Sequence, residues 1–227
     1  MNRSLYDYSG FSLRRLNEPR FAHAKLLSGW IAYFALYFIT ENLIPPERCH
    51  EIHCALDDLI PFNEFFVIFY VSWYLLIVFS LLYFFLYDVE SFKKLQTFII
   101  ITQAVAMAVY ILYPSRQDLR PEVFLRDNVL TRLMAFIYSF DTSTGVFPSL
   151  HVAYSMGILS VFWKYRGSSK LWKGILLVWV LLICAAVCFV KQHSALDILA
   201  ALPVCVLAEL LLYWRSYWKP RLQGRAG

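Results

Sequence analysis

Apolar and polar positions along this chain fall into long blocks, not into a short alternation. Six apolar runs, 26–44, 65–87, 95–113, 147–163, 174–190 and 198–214, each approach the roughly 20 residues needed to cross the hydrocarbon of a bilayer. The run 65–87 contains no charge, whereas 147–163 and 198–214 are shorter and carry ionisable residues. The pattern predicts an all-α fold, a six-transmembrane-helix bundle over residues 26–215. An N-terminal segment (1–25) precedes it and a basic tail (216–227) follows. Within 4–24, Leu5, Tyr8, Phe11, Leu13, Leu16 and Phe21 interleave with basic residues, a pattern suited to an amphipathic helix lying in the membrane interface; a loose tail is the alternative. The segment 127–140, between the third and fourth spans, predicts a short interfacial helix. Asp127 or Asn128 would cap it, and Leu130, Leu133, Met134 and Ile137 would form its apolar face. No internal repeat is visible, and no small-residue cleavage site follows the first run, which therefore reads as a retained span.

Composition agrees with lipid as the solvent. Apolar residues make up 59% of the chain and charged residues 16%, against about 25% charged in soluble domains. The net charge of +5 lies between the apolar runs, which fits anionic headgroups and not nucleic acid. Lysine and arginine also give a direction. Of the 21 such residues, 15 flank one side of the predicted spans and 6 the other. The rule that basic flanks stay inside puts both termini in the cytoplasm. The segments 45–64, 114–151 and 191–197 then face outward. Compact size and the lack of an organelle signal lean towards a bacterial plasma membrane.

The second and third outward segments carry the chemistry. His193 and Asp197 are four residues apart, which on a helix puts them on one face. A carboxylate behind an imidazole fixes its tautomer and stabilises the cation formed when the ring attacks an electrophile. A salt bridge closing the helix end is the plainer account of the pair. His151 opens another span from the same side and can act as a general acid, or simply anchor the helix in the interface. Ser149 and the neighbouring amides can hold a phosphate oxygen at a helix start. Arg116 and Arg120 can offer planar, bidentate donors to phosphate, and either one alone is more simply a loop arginine.

Taken together, Arg120-Pro121, Pro148-Ser149-Leu150-His151 and His193-x3-Asp197 resemble, in order, the three motifs K-x6-R-P, P-S-G-H and S-R-x5-H-x3-D. These belong to the type 2 phosphatidic acid phosphatase superfamily, which includes the vanadium haloperoxidases. The matched region runs from about Tyr113 to Asp197. Three positions depart from the pattern: Tyr113 stands where the lysine is expected, Leu150 where the glycine is, and Ala186-Val187 where the Ser-Arg pair is. The reduced third motif is similar to the sphingomyelin synthase and inositol phosphorylceramide synthase branch, whose members pass a phospho-headgroup to another lipid. The resemblance implies a metal-independent phosphatase acting on a lipid phosphomonoester or pyrophosphate, with no cofactor. His193 would be the nucleophile, Asp197 its orienting carboxylate and His151 the general acid and base. Arg120, Ser149, Lys191 and Arg116 would bind the phosphate oxygens. A lipid phosphotransferase is the alternative enzyme, and a membrane transporter the alternative from another class. The substrate lipid and the oligomeric state stay open.

Five cysteines complete the inventory. Cys184, Cys188 and Cys205 fall in apolar runs as packing residues. Cys49-His50-Glu51-Ile52-His53-Cys54 sets four potential zinc ligands within six residues, but zinc sites usually draw on separated segments. A disulfide between Cys49 and Cys54 leads over zinc, with free thiols as the remaining possibility.

Overall fold

A computed structural model describes residues 5–224. Arg3, Ser4 and Arg225, which enter the charge count or the N-terminal segment above, lie outside them. Helix dominates: α1 (Ser28–Leu43), α2 (Ala55–Leu59), α3 (Val67–Tyr87), α4 (Val89–Leu112), α5 (Val129–Phe140), α6 (Leu150–Lys164), α7 (Lys170–Phe189), α8 (Ala195–Tyr213) and α9 (Lys219–Leu222). Two strands of two residues each, β1 (His50–Glu51) and β2 (Ser115–Arg116), pair in parallel, with His50 opposite Ser115. Among the described residues, four helical stretches are long and apolar enough to cross a membrane: Glu64–Tyr87, Val89–Leu112, Lys170–Phe189 and Ala195–Leu222. The runs 26–44 and 147–163 form α1 and α6, of 16 and 15 residues, short of the roughly 20 that a full span uses.

Local chemistry sets the helix ends. Only Asp88 separates α3 from α4, and its carboxylate accepts the Ser91 amide, so α4 begins at Val89 and not at 95. The cations in its first turns find partners: Lys93 pairs with Glu90 at the surface, and Lys94 donates to the Leu212 carbonyl of α8. Asn128, not Asp127, caps α5, accepting from the Leu130 and Thr131 amides. Met134 and Ile137 of α5 are buried, with Leu130 and Leu133 packed beside them, as the apolar spacing predicts. At the other end, α8 runs through a π turn at Trp214–Trp218 into α9, so the tail from 216 is helical as far as Leu222.

The N-terminal segment departs from the expected amphipathic helix. It makes two 3-10 turns, Leu13–Arg15 and Ala22–Leu27, separated by Pro19. Its aromatic side chains find partners on the bundle: the Tyr8 hydroxyl donates to the Phe85 carbonyl at 2.6 Å and meets His23 at 2.8 Å, and Phe21 is fully buried. Side-chain hydrogen bonds and burial therefore prevail over helical periodicity here. The expected disulfide is also absent, since Cys49 and Cys54 are both free thiols. His50 stacks on Tyr113 and His53 pairs with Asp58. Among the described residues no group of three or more His, Cys, Asp and Glu side chains converges to hold a metal.

Helix α6 is the hub, packed against α3, α4, α7 and α8. At Gly157 it lies so close to α4 that a Cβ would meet Phe98 Cδ1 at 2.6 Å, and the Phe98 ring is itself buried. At one end of the bundle, three loops are tied together. The His50 amide donates to the Pro114 carbonyl, the Asn63 amide to Phe189 and the Gly145 amide to Ser115. Replacing Gly157 with leucine overpacks this contact. The expected loss is about 1–3 kcal/mol, read as a lower thermal midpoint of the purified protein in detergent.

Candidate functional site

The first turns of α6 and α8 meet at the loop end of the bundle. Ser149 caps α6, its hydroxyl accepting the Val152 amide, and the Ser149 amide donates to the Asp197 carbonyl at 3.1 Å. The Tyr110 hydroxyl holds the preceding Pro148 carbonyl at 2.9 Å. Ser194 caps α8 in a reciprocal box: its hydroxyl accepts the Leu196 amide, and the Asp197 carboxylate accepts the Ser194 amide at 3.0 Å. His193 therefore stands just before the helix and not within it. The four-residue spacing still brings the pair together, with His193 Nδ1 2.9 Å from Asp197 Oδ2.

A second imidazole continues the chain, His151 Nδ1 lying 3.2 Å from His193 Nε2. An ionised carboxylate can only accept, so His193 donates from Nδ1 and leaves its lone pair on Nε2. His151 then donates from Nδ1 into that lone pair. The His151 ring is held by Trp73, with centroids 4.1 Å apart, and by Tyr70 at 4.8 Å. Its Nε2 is buried without a hydrogen-bond partner, as is Asp197 Oδ1. The arrangement presents a nitrogen nucleophile backed by a carboxylate, with a second imidazole placed to move protons.

Both histidines open onto a cavity of about 630 Å³ between α1 and α3. Trp30, Tyr33, Phe34 and Tyr37 of α1 form one wall, and Tyr70 to Leu81 of α3 the other. Eleven residues of helix between Tyr70 and Leu81 span about 16 Å, so the apolar part of the cavity runs well down the bundle from the histidines. At the polar end Asp141, Thr142 and Gln192 complete the lining. The Tyr70 hydroxyl donates to Asp141 Oδ2 at 2.6 Å, and the Gln192 amide donates to the same oxygen at 3.0 Å.

The predicted phosphate ligands take up different positions. Arg120 lies behind the polar end of the cavity and donates to Gln192 Oε1 and to the carbonyls of Asp141 and Thr142, with its guanidinium over the Tyr138 ring. Burial lowers the Arg120 pKa while nearby Asp141 opposes the shift, and an arginine stays charged at neutral pH. Ser149 is fully buried with its hydroxyl engaged in the cap. Arg116 pairs with Asp118 at 2.6 Å. Lys191 turns away from the cavity and donates to the Asp57 carbonyl at 2.8 Å. The structure thus joins His151, His193 and Asp197 directly, sets Arg120 one side chain away, and leaves Ser149, Lys191 and Arg116 with structural partners.

Sequence reading passed over Asp57, Tyr70, Trp73, Asp141 and Gln192. Tyr70 and Trp73 read as ordinary members of an apolar run. Gln192 had a signal in its place between Lys191 and His193, and Asp57 had none. No family model matches the chain, and comparison with curated proteins and with solved structures returns no match for it.

Asp57 lends itself to a pH test. Burial pushes its carboxyl up, but hydrogen bonds from the Ser194 hydroxyl and the Ala195 and Cys54 amides outweigh burial and hold it below the ordinary carboxylate value. A depressed folded-state pKa adds stability that is fully present above the unfolded value, near pH 4. That stability is lost as pH falls through the folded value. Unfolding in detergent followed from neutral to acidic pH is expected to show a shallower acid loss in Asp57→Asn than in the wild type.

Proposed function

We propose that this chain is an integral membrane lipid phosphate phosphatase that works through a phosphohistidine. The observation that carries the reading is the Asp197–His193–His151 chain opening onto a deep apolar cavity. A hydrocarbon tail lies between α1 and α3, and the phosphate meets the histidines at the polar end. Substrate entry separates the two rings. His193 Nε2 attacks phosphorus, a P–N bond forms and the bond to the lipid oxygen breaks. His151 takes a proton from the monoanionic phosphate ester as it binds and, as the imidazolium, gives its Nδ1 proton to the departing alkoxide and becomes the neutral imidazole. Water then attacks the phosphohistidine, His151 takes a proton from it, and the P–N bond breaks to release phosphate. Asp197 holds the Nδ1 proton of His193 throughout and offsets the positive charge of the phosphorylated ring. Arg120, freed from Gln192, is the cation within reach of the equatorial oxygens, where charge builds up.

In this reading the protein crosses the bilayer six times, with α1 and α6 as short spans, both termini cytoplasmic and the site on the outer side of a plasma membrane. A lipid phosphotransferase is the second reading. It is favoured by the absence of an arginine in the stretch before His193, where Ala186 and Val187 are fully buried. It is also favoured by an apolar path that would let a lipid hydroxyl reach the histidines. The acceptor would then be an alcohol on diacylglycerol, ceramide or an inositol-type molecule.

Purified protein given lipid phosphates in EDTA is expected to release free phosphate. His193→Ala should abolish release, and His151→Ala should lower it about 10²–10⁴-fold. Retention of the wild-type rate by both histidine variants would falsify the mechanism. A new phospholipid appearing only when a lipid alcohol is added would select the transferase. Arg120→Ala is expected to cost about 10²–10³-fold in turnover, and a wild-type rate in that variant would remove Arg120 from the phosphate site.

A further inference from the structure

The loop 45–64 contains none of the motifs that mark the site, yet it grips the segment carrying His193. The short helix α2 presents Asp57, which is buried, to residues 191–195. Asp57 Oδ2 accepts the Ser194 hydroxyl at 2.5 Å, and Oδ1 accepts the Ala195 amide at 2.8 Å. The Asp57 carbonyl takes the Lys191 ammonium at 2.8 Å. The carboxylate is anchored in its own loop by the Cys54 amide at 2.9 Å.

The gripped turn has an unusual backbone. Lys191 has φ of 54°, in the left-handed region that a side-chain-bearing residue enters only at a cost. Such a conformation persists only where its surroundings over-determine it. Two residues on, the direction of the His193 ring follows from this turn, because the Gln192 and His193 amides both donate to the Val187 carbonyl at 3.0 Å. Every group that hydrogen-bonds to the Asp57 carboxylate is a donor: a hydroxyl, two amides and the Cys54 thiol. An acceptor is therefore required on both oxygens, and an asparagine would turn an N–H towards one of those donors. Through Ser194, Asp57 also fixes the hydroxyl that caps α8, and so the register between His193 and Asp197.

Building on the phosphohistidine reading, we infer that Asp57 is a positioning residue for the reaction. It locks the 191–195 turn so that His193 Nε2 faces the cavity while Nδ1 stays on Asp197. Lys191 belongs to the same brace. Asp57 touches neither the cavity nor the reacting atoms, so its removal acts on the attack and not on lipid binding.

A misplacement of the attacking nitrogen by about 1 Å costs about 10²-fold in rate. In the full chain in detergent, Asp57→Asn and Asp57→Ala are expected to lower kcat by about that factor, with KM near the wild-type value and the protein still folded. Ser194→Ala should lower kcat as well, and the Asp57→Asn, Ser194→Ala double variant should fall little further than the worse single variant, because both break one brace. Nitrogen-15 NMR of labelled histidines supplies a readout independent of activity. The His193 signals are identified by their loss in His193→Gln. They are expected to show a single Nδ1-protonated tautomer in the wild type and a mixture in Asp57→Asn. A wild-type kcat in Asp57→Ala, a raised KM with kcat unchanged, or an unaltered His193 tautomer in Asp57→Asn each overturns the brace. If the wild type releases no phosphate and transfers none, the phosphohistidine reading fails, and the tautomer result alone decides whether Asp57 positions His193.

Discussion

One carboxylate oxygen, Asp197 Oδ2, does two tasks at once. It closes the cap of α8 by accepting the Ser194 amide, and it holds the imidazole of His193 by accepting Nδ1. A fully buried charge is costly unless hydrogen bonds offset it, and here they all fall on Oδ2 while Oδ1 has no partner. The two donors that offset this cost come from adjacent residues of one turn. Helix start and imidazole orientation are thus a single structural event. Moving the carboxylate by one residue would lose the cap and the ring together, so the four-residue spacing has no slack. The backbone bond from Ser149 to the Asp197 carbonyl extends the same event to the start of α6 and thereby brings His151 to Nε2 of His193.

The rest of the bundle supports this junction. Helix α6 is the packing hub, and its tight passage past Phe98 at Gly157 fixes the depth at which His151 emerges. Trp73 and Tyr70 on α3 hold the His151 ring, so the element that forms one wall of the cavity also orients the second imidazole. Helices α1 and α3 both pack on α4 and leave the aromatic-lined cavity between them. At the loop end, Arg120 bonds to Gln192 and Asn63 to Phe189, so segments far apart in sequence close around the same few residues.

Much of this was legible in the sequence because it rests on local spacing. The apolar runs located the long helices, and the cap at Asn128 is a side-chain signal that acts within a turn; Ser149 and Ser194 cap α6 and α8 by the same chemistry but were not read as caps. The His193–Asp197 pair is likewise a local matter. What escaped notice depends on contacts across the fold. Lys191 looked like a free cation near the site, but its partner is a carbonyl 134 residues away in sequence. The N-terminal segment has an amphipathic pattern, but Tyr8 and His23 satisfy each other and the end of α3 in a way no periodicity encodes. The alternation of cysteine and histidine at 49–54 resembled a ligand set, and the short strand β1 together with the Tyr113 stack drew His50 away from it.

The polar end of the cavity bears on the choice between water and a lipid alcohol. Asp141 and Gln192 line it, with Arg120 immediately behind them. Arg120 is held by carbonyls and by Gln192, and Asp141 is held by Tyr70 and Gln192, so one amide side chain links cation and carboxylate. Under the proposed reading, an incoming phosphate competes with Gln192 for Arg120. It would replace a bond from the charged guanidinium to a neutral amide oxygen with a pair of opposite charges that can be bidentate. The same exchange leaves the Gln192 amide and the Asp141 carboxylate at the cavity edge beside the histidines. A carboxylate there disfavours a second anion and favours a group that can donate a hydrogen bond, which both water and an alcohol can do. Under the proposed reading, then, the polar end admits either acceptor. Discrimination falls to the apolar walls on α1 and α3, which set how closely a second lipid can approach while the first product leaves.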